Sequence, residues 1–173
     1  MEYPSELESF SVTDAGLKLM LRPIKHSDGP LLKRFFYTLS PESVYNRFLS
    51  PIHDVTDEQV HAFVEIDYEL TMAIAAVIIS KNGEEILGVA RYVRQDGQNA
   101  DVAVVVSDAV QNQGIGTILL DRLTEIAKDM GIKAFTSSVD PQNIKLLRFA
   151  KSLGFERTEH FDGDLIELTC FLN

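Results

Sequence analysis

Residues 101–120, DVAVVVSDAVQNQGIGTILL, hold the densest set of groups able to do chemistry in this chain. The run at 102–106 is unbroken, apolar and rich in β-formers, which suits a strand covered on both faces. Ser107 and Asp108 end it. Gln111, Asn112, Gln113, Gly114, Ile115, Gly116 and Thr117 follow, and from there Ile115, Leu119, Leu123, Ile126, Ala127 and Met130 fall on one helical face. Two glycines where a loop enters a helix let a backbone pass close to a ligand. The first amides of that helix have no internal acceptor and stand at the positive end of its dipole. Such a turn suits a phosphate or pyrophosphate. No Lys-Ser or Lys-Thr pair follows the second glycine, so it is not a P-loop, and the three-glycine dinucleotide pattern is absent. Without a ligand, the same residues read as a glycine-rich turn that only packs tightly.

The elements that must position this stretch follow from periodicity. Residues 1–15 are polar with little periodicity, an arm or an added strand, and the remainder, 16–173, reads as one domain. Residues 17–22 read as a strand. Asp28 is a candidate N-cap for a helix with Pro30 in its first turn, and Ser40-Pro41 opens a second. Thr56 with Gln59 forms a capping box for a third. Strands at 72–79 and 86–93, joined at Lys81-Asn82-Gly83, lead through Gln95-Asp96-Gly97 into the strand from about 100, an antiparallel meander. The helix from Gly114 stops at Gly131, and 134–139 is a strand, so a right-handed crossover makes its partner strand parallel. Asp140-Pro141 starts a further helix ending at Gly154. Residues 155–157 and 165–171 form a last hairpin through Asp162-Gly163. The fold class is α/β (α+β mixed), a sheet of about seven strands with helices on both faces.

The whole-chain balance narrows the function. The 173 residues are 45% hydrophobic, enough for a true core, and 24% charged. A formal net charge of −10 argues against nucleic acid or an anionic membrane as partner and allows a cationic substrate. One cysteine, Cys170, makes no internal disulfide and no cysteine-built metal site, which favours a reducing compartment. The acidic start MEYPSELESF is not a signal peptide, and no apolar run is long enough to span a bilayer. His26, His53, His61 and His160 lack metal-ligand spacing and read as surface or cap residues, so no metal is expected.

With these residues in view, the chain resembles the GNAT superfamily of acyl-CoA-dependent N-acetyltransferases across roughly residues 17–172. Gln111-x-x-Gly114-x-Gly116 matches that superfamily's pyrophosphate turn, and Asn143 followed by Leu153-Gly154-Phe155 is similar to its second motif. A narrower likeness joins Ser40-Pro41-Glu42-Ser43-x-Tyr45-x-Arg47-Phe48, Ile66-Asp67-Tyr68 and Gly88-Val89-Ala90-Arg91-Tyr92 to the acetyltransferase domain of bacterial protein lysine acetyltransferases, which modify acyl-CoA synthetases.

The resemblance implies a GNAT fold whose fourth and fifth strands, here 101–106 and 134–139, splay apart. Acetyl-CoA is then the expected co-substrate. Its pantetheine arm would pair along Val104, Val105 and Val106, with its pyrophosphate on the amides of Gln111, Asn112, Gln113, Gly114, Ile115 and Gly116. The Thr117 hydroxyl would be in reach, and Asn143 would bond the arm from the other side. One amide near Val104 or Val105 would polarise the thioester carbonyl. A lysine amine, with a pKa near ~10.4, needs a base. Relatives place a glutamate where this chain has Asp101, one methylene shorter, which would act through an ordered water or draw the amine closer; its other reading is a strand-entry residue held by backbone amides. The superfamily's acid tyrosine corresponds to Ala150 here, leaving Tyr68 and Tyr92 as candidates or core residues. Arg47 reads as a phosphate contact or an ion-pair residue, Lys145 and Arg148 as ribose-phosphate contacts or solvated surface, and Cys170 as a buried strand residue. The expected activity is transfer of acetyl from acetyl-CoA to an amine, preferably a protein lysine, in a ternary complex. A small-amine acetyltransferase and a non-catalytic acyl-CoA sensor are the alternatives. A cytoplasmic location fits, and nothing bars a homodimer.

Overall fold

A computed structural model describes residues 2–162 and 164–172, with side chains at all of these except 96 and 159–162. Eight strands form one sheet in the order β1-β2-β3-β4-β5-β6-β8-β7. They are β1 (Ser9–Val12), β2 (Lys18–Pro23), β3 (Thr71–Ser80), β4 (Gly83–Asp96), β5 (Asn99–Val106), β6 (Ala134–Val139), β7 (Glu156–Asp162) and β8 (Leu165–Phe171). The expected seven become eight because residues 9–12 add β1 beside β2, a pairing too short to leave a period in the sequence. The expected meander is present as β3, β4 and β5, and β5–β6 is the parallel pair among the described strands. Gly163, expected in the turn of the last hairpin, lies outside the described residues.

Helices cover both faces. On one side α4 (Ile115–Asp129) packs on β3, β4 and β5 through Ile115, Leu119, Leu123, Ile126 and Ala127, the face expected from their spacing. Met130, expected on that face, is its exposed C-cap. Gly88 lets α4 approach, since a Cβ there would stand 3.0 Å from a Leu119 methyl. On the other side lie α1 (Gly29–Phe36), α2 (Pro41–Phe48) and α3 (Asp57–Val64). Ser40 caps α2 by accepting from Ser43 N–H at 3.2 Å. The Thr56–Gln59 box forms as read, at 3.2 and 2.9 Å.

Two helix starts differ from expectation. Asp28 makes no cap bond to α1. Its carboxylate takes a bidentate pair from the fully buried Arg22, at 2.7 and 3.0 Å, and accepts from Lys25 N–H at 2.8 Å. Glu84 completes the Arg22 site at 2.7 Å. A buried guanidinium outweighs a helix cap, because an unpaired interior charge costs several kcal/mol and a cap only about 1 kcal/mol. The helix expected from Asp140-Pro141 begins later, as α5 (Ile144–Ser152), because Asp140 instead folds back on Gln142 N–H at 2.8 Å in a local turn.

The core is divided. One large cluster lies among β2–β5, α1 and α4, and a small one of Val139, Ala150, Ile166 and Leu168 lies under α5, with Phe155 touching both. The division follows from how β5 leaves β6. Replacing Arg22 with Met should strand the Asp28 carboxylate in the interior and cost about 3–5 kcal/mol in urea unfolding at neutral pH; a loss below about 1 kcal/mol would contradict a structural role for the pair.

Candidate active site

The site is built on the point where β5 and β6 separate. Among the described residues they pair only at Asn99↔Ala134, Ala100↔Phe135 and Asp101↔Thr136, after which 102–106 has no described strand on that side, while β6 stays paired to β8 as far as Val139↔Ile166. Strand geometry fixes which groups face the opening. At one end of β5 the Gln98 carbonyl accepts from Lys133 N–H at 2.7 Å toward β6, and at the other Ser107 N–H bonds Leu87 O at 2.8 Å toward β4. Main-chain groups alternate along a strand, so even residues turn toward β6 and odd ones toward β4. Val104 and Val106 therefore present their N–H and C=O to the opening, while Val105 bonds toward β4 and offers its side chain. Buried main-chain groups require partners. Val106 O has one, the Gln111 side-chain amide at 3.1 Å.

Below the opening is the turn at 111–116. Asn112 (φ +61°) and Gly114 (φ +82°) are both left-handed, and Gly114 is the N-cap of α4 with no side-chain bond to the helix's first amides. A Cβ at Gly114 would meet open space, so backbone conformation is what demands glycine there. Gly116 answers a different need: its absent Cβ would lie 3.3 Å from the Phe149 ring of α5. A cleft of about 500 Å³ runs from this turn along β5, bordered by Val104, Val105, Val106, Gly114, Thr117 and Lys145 among others. Gln111 also donates to Ser43 Oγ at 3.2 Å, making it a clamp within the turn. Asn143 borders the cleft, but its side-chain oxygen is engaged in capping α5 through Leu146 N–H at 3.0 Å.

Helix α2 spans the mouth. Ser40 donates to Asp108 through its N–H and its hydroxyl, at 2.8 Å each, and Ser43 Oγ does so at 2.9 Å. These bonds hold the Asp108 carboxyl below the usual carboxylate range, against the opposing effect of burial. At the other rim Tyr45 Oη reaches Asp140 at 3.3 Å. This span carries Asn46 and Arg47 into the cleft. Sequence reading missed Ser43, Asn46 and Asp108; the signal was present, since Ser43, Asn46 and Arg47 share one face of a helix already marked by its Ser-Pro start.

Asp101 occupies the last paired rung, half-buried. Burial lifts its carboxyl above the ordinary value; Arg47 pulls it back and Glu167 raises it further. Arg47, expected to make an ion pair or a phosphate contact, is within 4 Å of no carboxylate among the described residues and lies over the Phe48 ring at 5.0 Å. Tyr68 donates to Ile24 O at 2.9 Å from the interior and Tyr92 is fully buried against Phe135, so neither borders the cleft. Ala150 faces a smaller cavity between the diverging strands, with Val104 and Ser138, and brings no hydroxyl there. Arg148 is exposed and away from the cleft lining, and Cys170 points at Leu153 O on the far side of α5.

Comparison with known proteins agrees with this geometry. The Acetyltransferase (GNAT) family matches over residues 40–155. An acetyltransferase of Pseudomonas aeruginosa is 26% identical over 82% of this chain and 77% of its own. Acetyltransferase Pat of Mycolicibacterium smegmatis is 29% identical over 78% of this chain, which spans only 40% of that protein. Among solved structures, the GNAT domain of S. lividans Pat superposes with a TM-score of 0.92 at 29% identity, covering 99% of this chain and 100% of that one. A Salmonella typhimurium acetyltransferase solved with its cofactor acetyl-CoA shares the fold, with a TM-score of 0.70 at 20% identity over 90% of this chain and 94% of its own.

The cap at Asn143 yields a direct test. Asn143→Ala should lower stability by about 1 kcal/mol in thermal unfolding, and Asn143→Asp, which keeps the acceptor oxygen, should recover most of it. Equal losses in both variants would contradict the capping role.

Proposed function

The chain belongs to the GNAT acetyltransferase family, and we propose that it moves the acetyl group of acetyl-CoA directly to the amine of a protein lysine, with Asp101 as base. The observation that carries this reading is the placement of Asp101, half-buried on the rung where β5 and β6 part, three residues before Val104 on the same strand and in electrostatic reach of Arg47, which borders the cleft. Acetyl-CoA is the acyl donor of this family, and the residues fit it. Val104 N–H and C=O and Val106 N–H form an unpaired strand edge suited to the amides of a pantetheine arm. The first amides of α4, preceded by left-handed Asn112 and Gly114, suit a diphosphate. Thr117 and Lys145 border the same cleft. Once bound, acetyl-CoA supplies the activated acyl group; the rest is positioning and proton handling by this chain.

Strand parity supports one of the two amides expected to polarise the acyl carbonyl. Val104 N–H faces the opening and Val105 N–H does not, so Val104 is the donor in this account. Asp101 must be ionised to accept a proton from the incoming ammonium. Its burial keeps it a stronger base than a solvated aspartate, and Arg47 limits that rise. With Ala150 at the position of the family's acid tyrosine, the thiolate leaves without a donor from α5. The lysine preference rests on the likeness of residues 40–48, 66–68 and 88–92 to protein lysine acetyltransferases, and residues 40–48 form the α2 wall of the cleft.

Free-thiol release from acetyl-CoA with a lysine-bearing acceptor tests the assignment. Asp101→Asn should lower kcat by about 10²–10⁴-fold with acetyl-CoA binding retained, and a kcat within twofold of the parent would contradict Asp101 as base. The acid limb of kcat/KM should follow Asp101, with activity falling as pH drops and the carboxylate takes up its proton. Arg47→Met removes the cation that favours the ionised form, so that limb should move to higher pH. A shift to lower pH, or none, would contradict the coupling.

A further inference from the structure

Arg22 is fully buried, Arg47 and Arg91 are half-buried, and of these three arginines only Arg22 is given carboxylates within ion-pair distance among the described residues. Its partners are Asp28 and Glu84. Arg47, from the last turn of α2, and Arg91, from β4, border a common cavity of about 70 Å³ on the opposite side of β5 from α4. Neither lies within 4 Å of a carboxylate among the described residues. Arg91 spends one N–H on Phe63 O at 3.2 Å and lies 5.6 Å over the Phe63 ring; Arg47 lies 5.0 Å over Phe48. The two rings are themselves in contact, 5.8 Å between centroids. The remaining wall is apolar, with Phe36, Leu39, Val89 and Val105 among its residues.

The two guanidiniums disfavour each other. Burial and the neighbouring Arg47 push the Arg91 pKa down to about 10, and burial lowers that of Arg47 while Asp101 raises it. Interior charges are retained where something of opposite sign meets them, as at Arg22. At Arg47 and Arg91 the chain supplies no such group in contact, and Asp101 acts only on Arg47, from beyond ion-pair distance. For Arg91, an anion held at the turn of residues 111–116 does not supply the missing charge. Arg91 borders this cavity but not the cleft at Gly114 and Gly116, whereas Val105 and Arg47 border both. The cavity therefore adjoins the place where the acyl group and the acceptor amine meet.

We propose that this cavity binds a carboxylate of the acceptor, so that the acceptor carries an acid close to the amine that is acetylated. This rests on the reading of the opening between β5 and β6 as the site of acyl transfer. The planar guanidinium forks match a carboxylate with charge-assisted bonds, and the Phe36, Phe48 and Phe63 rings enclose a short aliphatic stem. The acid neutralises the two arginines when the acceptor enters, while Asp101 remains to take the amine's proton. The carboxylate has two sources: an acidic residue beside the target lysine, or the acid of a free amino acid.

Two measurements on the full chain decide it. Propionate, with propionamide as the uncharged twin, is titrated while thermal unfolding is followed. Saturable stabilisation by propionate alone is expected, lost in Arg91→Gln; an equal response to both compounds would overturn the inference. Should Arg91→Gln fail to fold, the parent protein suffices, because matched acceptors carry the second test. These are a lysine peptide with a neighbouring glutamate against its glutamine version, and a free amino acid against its amide, compared by kcat/KM for thiol release. A preference for the acid of about 10–100-fold is expected in one pair, as hydrogen bonds to charged groups give. A preference in the peptide pair assigns a flanking acidic residue and one in the free pair a small acceptor. Ratios within twofold in both pairs would overturn the proposal. Absence of thiol release with every acceptor would instead count against the reading of the transfer site, and the propionate titration would still decide whether the cavity takes a carboxylate.

Discussion

Everything in this molecule is arranged around a strand edge left unpaired inside the protein. β5 and β6 share three rungs and then part, and a parallel pair that stops there exposes main-chain donors and acceptors that interior strands elsewhere satisfy. The remaining structure accommodates that opening. β6 keeps its partner β8, so the sheet continues beyond it, and the hydrophobic core divides into a large and a small cluster, one under each arm. Phe149 stands against Gly116 at the foot of the opening, and α2 bridges its mouth by bonding Asp108 on one rim and Asp140 on the other.

That bridge links recognition to chemistry. The helix that closes over the cleft is held by the segment leading into the turn at 111–116, through Ser40, Ser43 and Gln111 to Asp108 and Val106. It also carries Arg47, which borders the cleft, the cavity between the strands and the arginine-lined cavity behind β5. A single residue thus tunes the proposed base and touches both proposed ligand sites. The contrast with Arg22 is instructive. The fully buried Arg22 is supplied with carboxylates, whereas the half-buried Arg47 and Arg91, facing a cavity beside the proposed transfer site, have none within 4 Å among the described residues.

What could be read from the sequence was local. The Thr56–Gln59 box, the Ser40 cap, the β3–β5 meander and, Met130 apart, the face of α4 depend on short-range signals, and these formed as expected. The opening itself came from family resemblance, because no periodicity marks where two strands stop pairing. The misreading at Asp140 had a local cause, its turn onto Gln142 N–H, and the one at Asp28 a distant cause. Asp28 was not free to cap because Arg22 and, 62 residues further along the chain from that arginine, Glu84 form one buried site. β1 realises the added strand, one of the two readings of residues 1–15, and at four residues it is too short to leave a period. The pairing of Arg47 with Arg91 joins a helix to a strand 44 positions on, and the roles of Val104 and Val105 separated only when bonds at both ends of β5 fixed its parity.

The central claim is that an acyl-CoA arm completes the unpaired edge of β5. Backbone amide exchange, followed residue by residue by NMR with and without acetyl-CoA, addresses it most directly. The account predicts strong new protection at the Val104 and Val106 amides and at those of residues 114–117, with Val105, already bonded toward β4, little changed. Protection that leaves Val104 and Val106 untouched while acetyl-CoA is bound would contradict it.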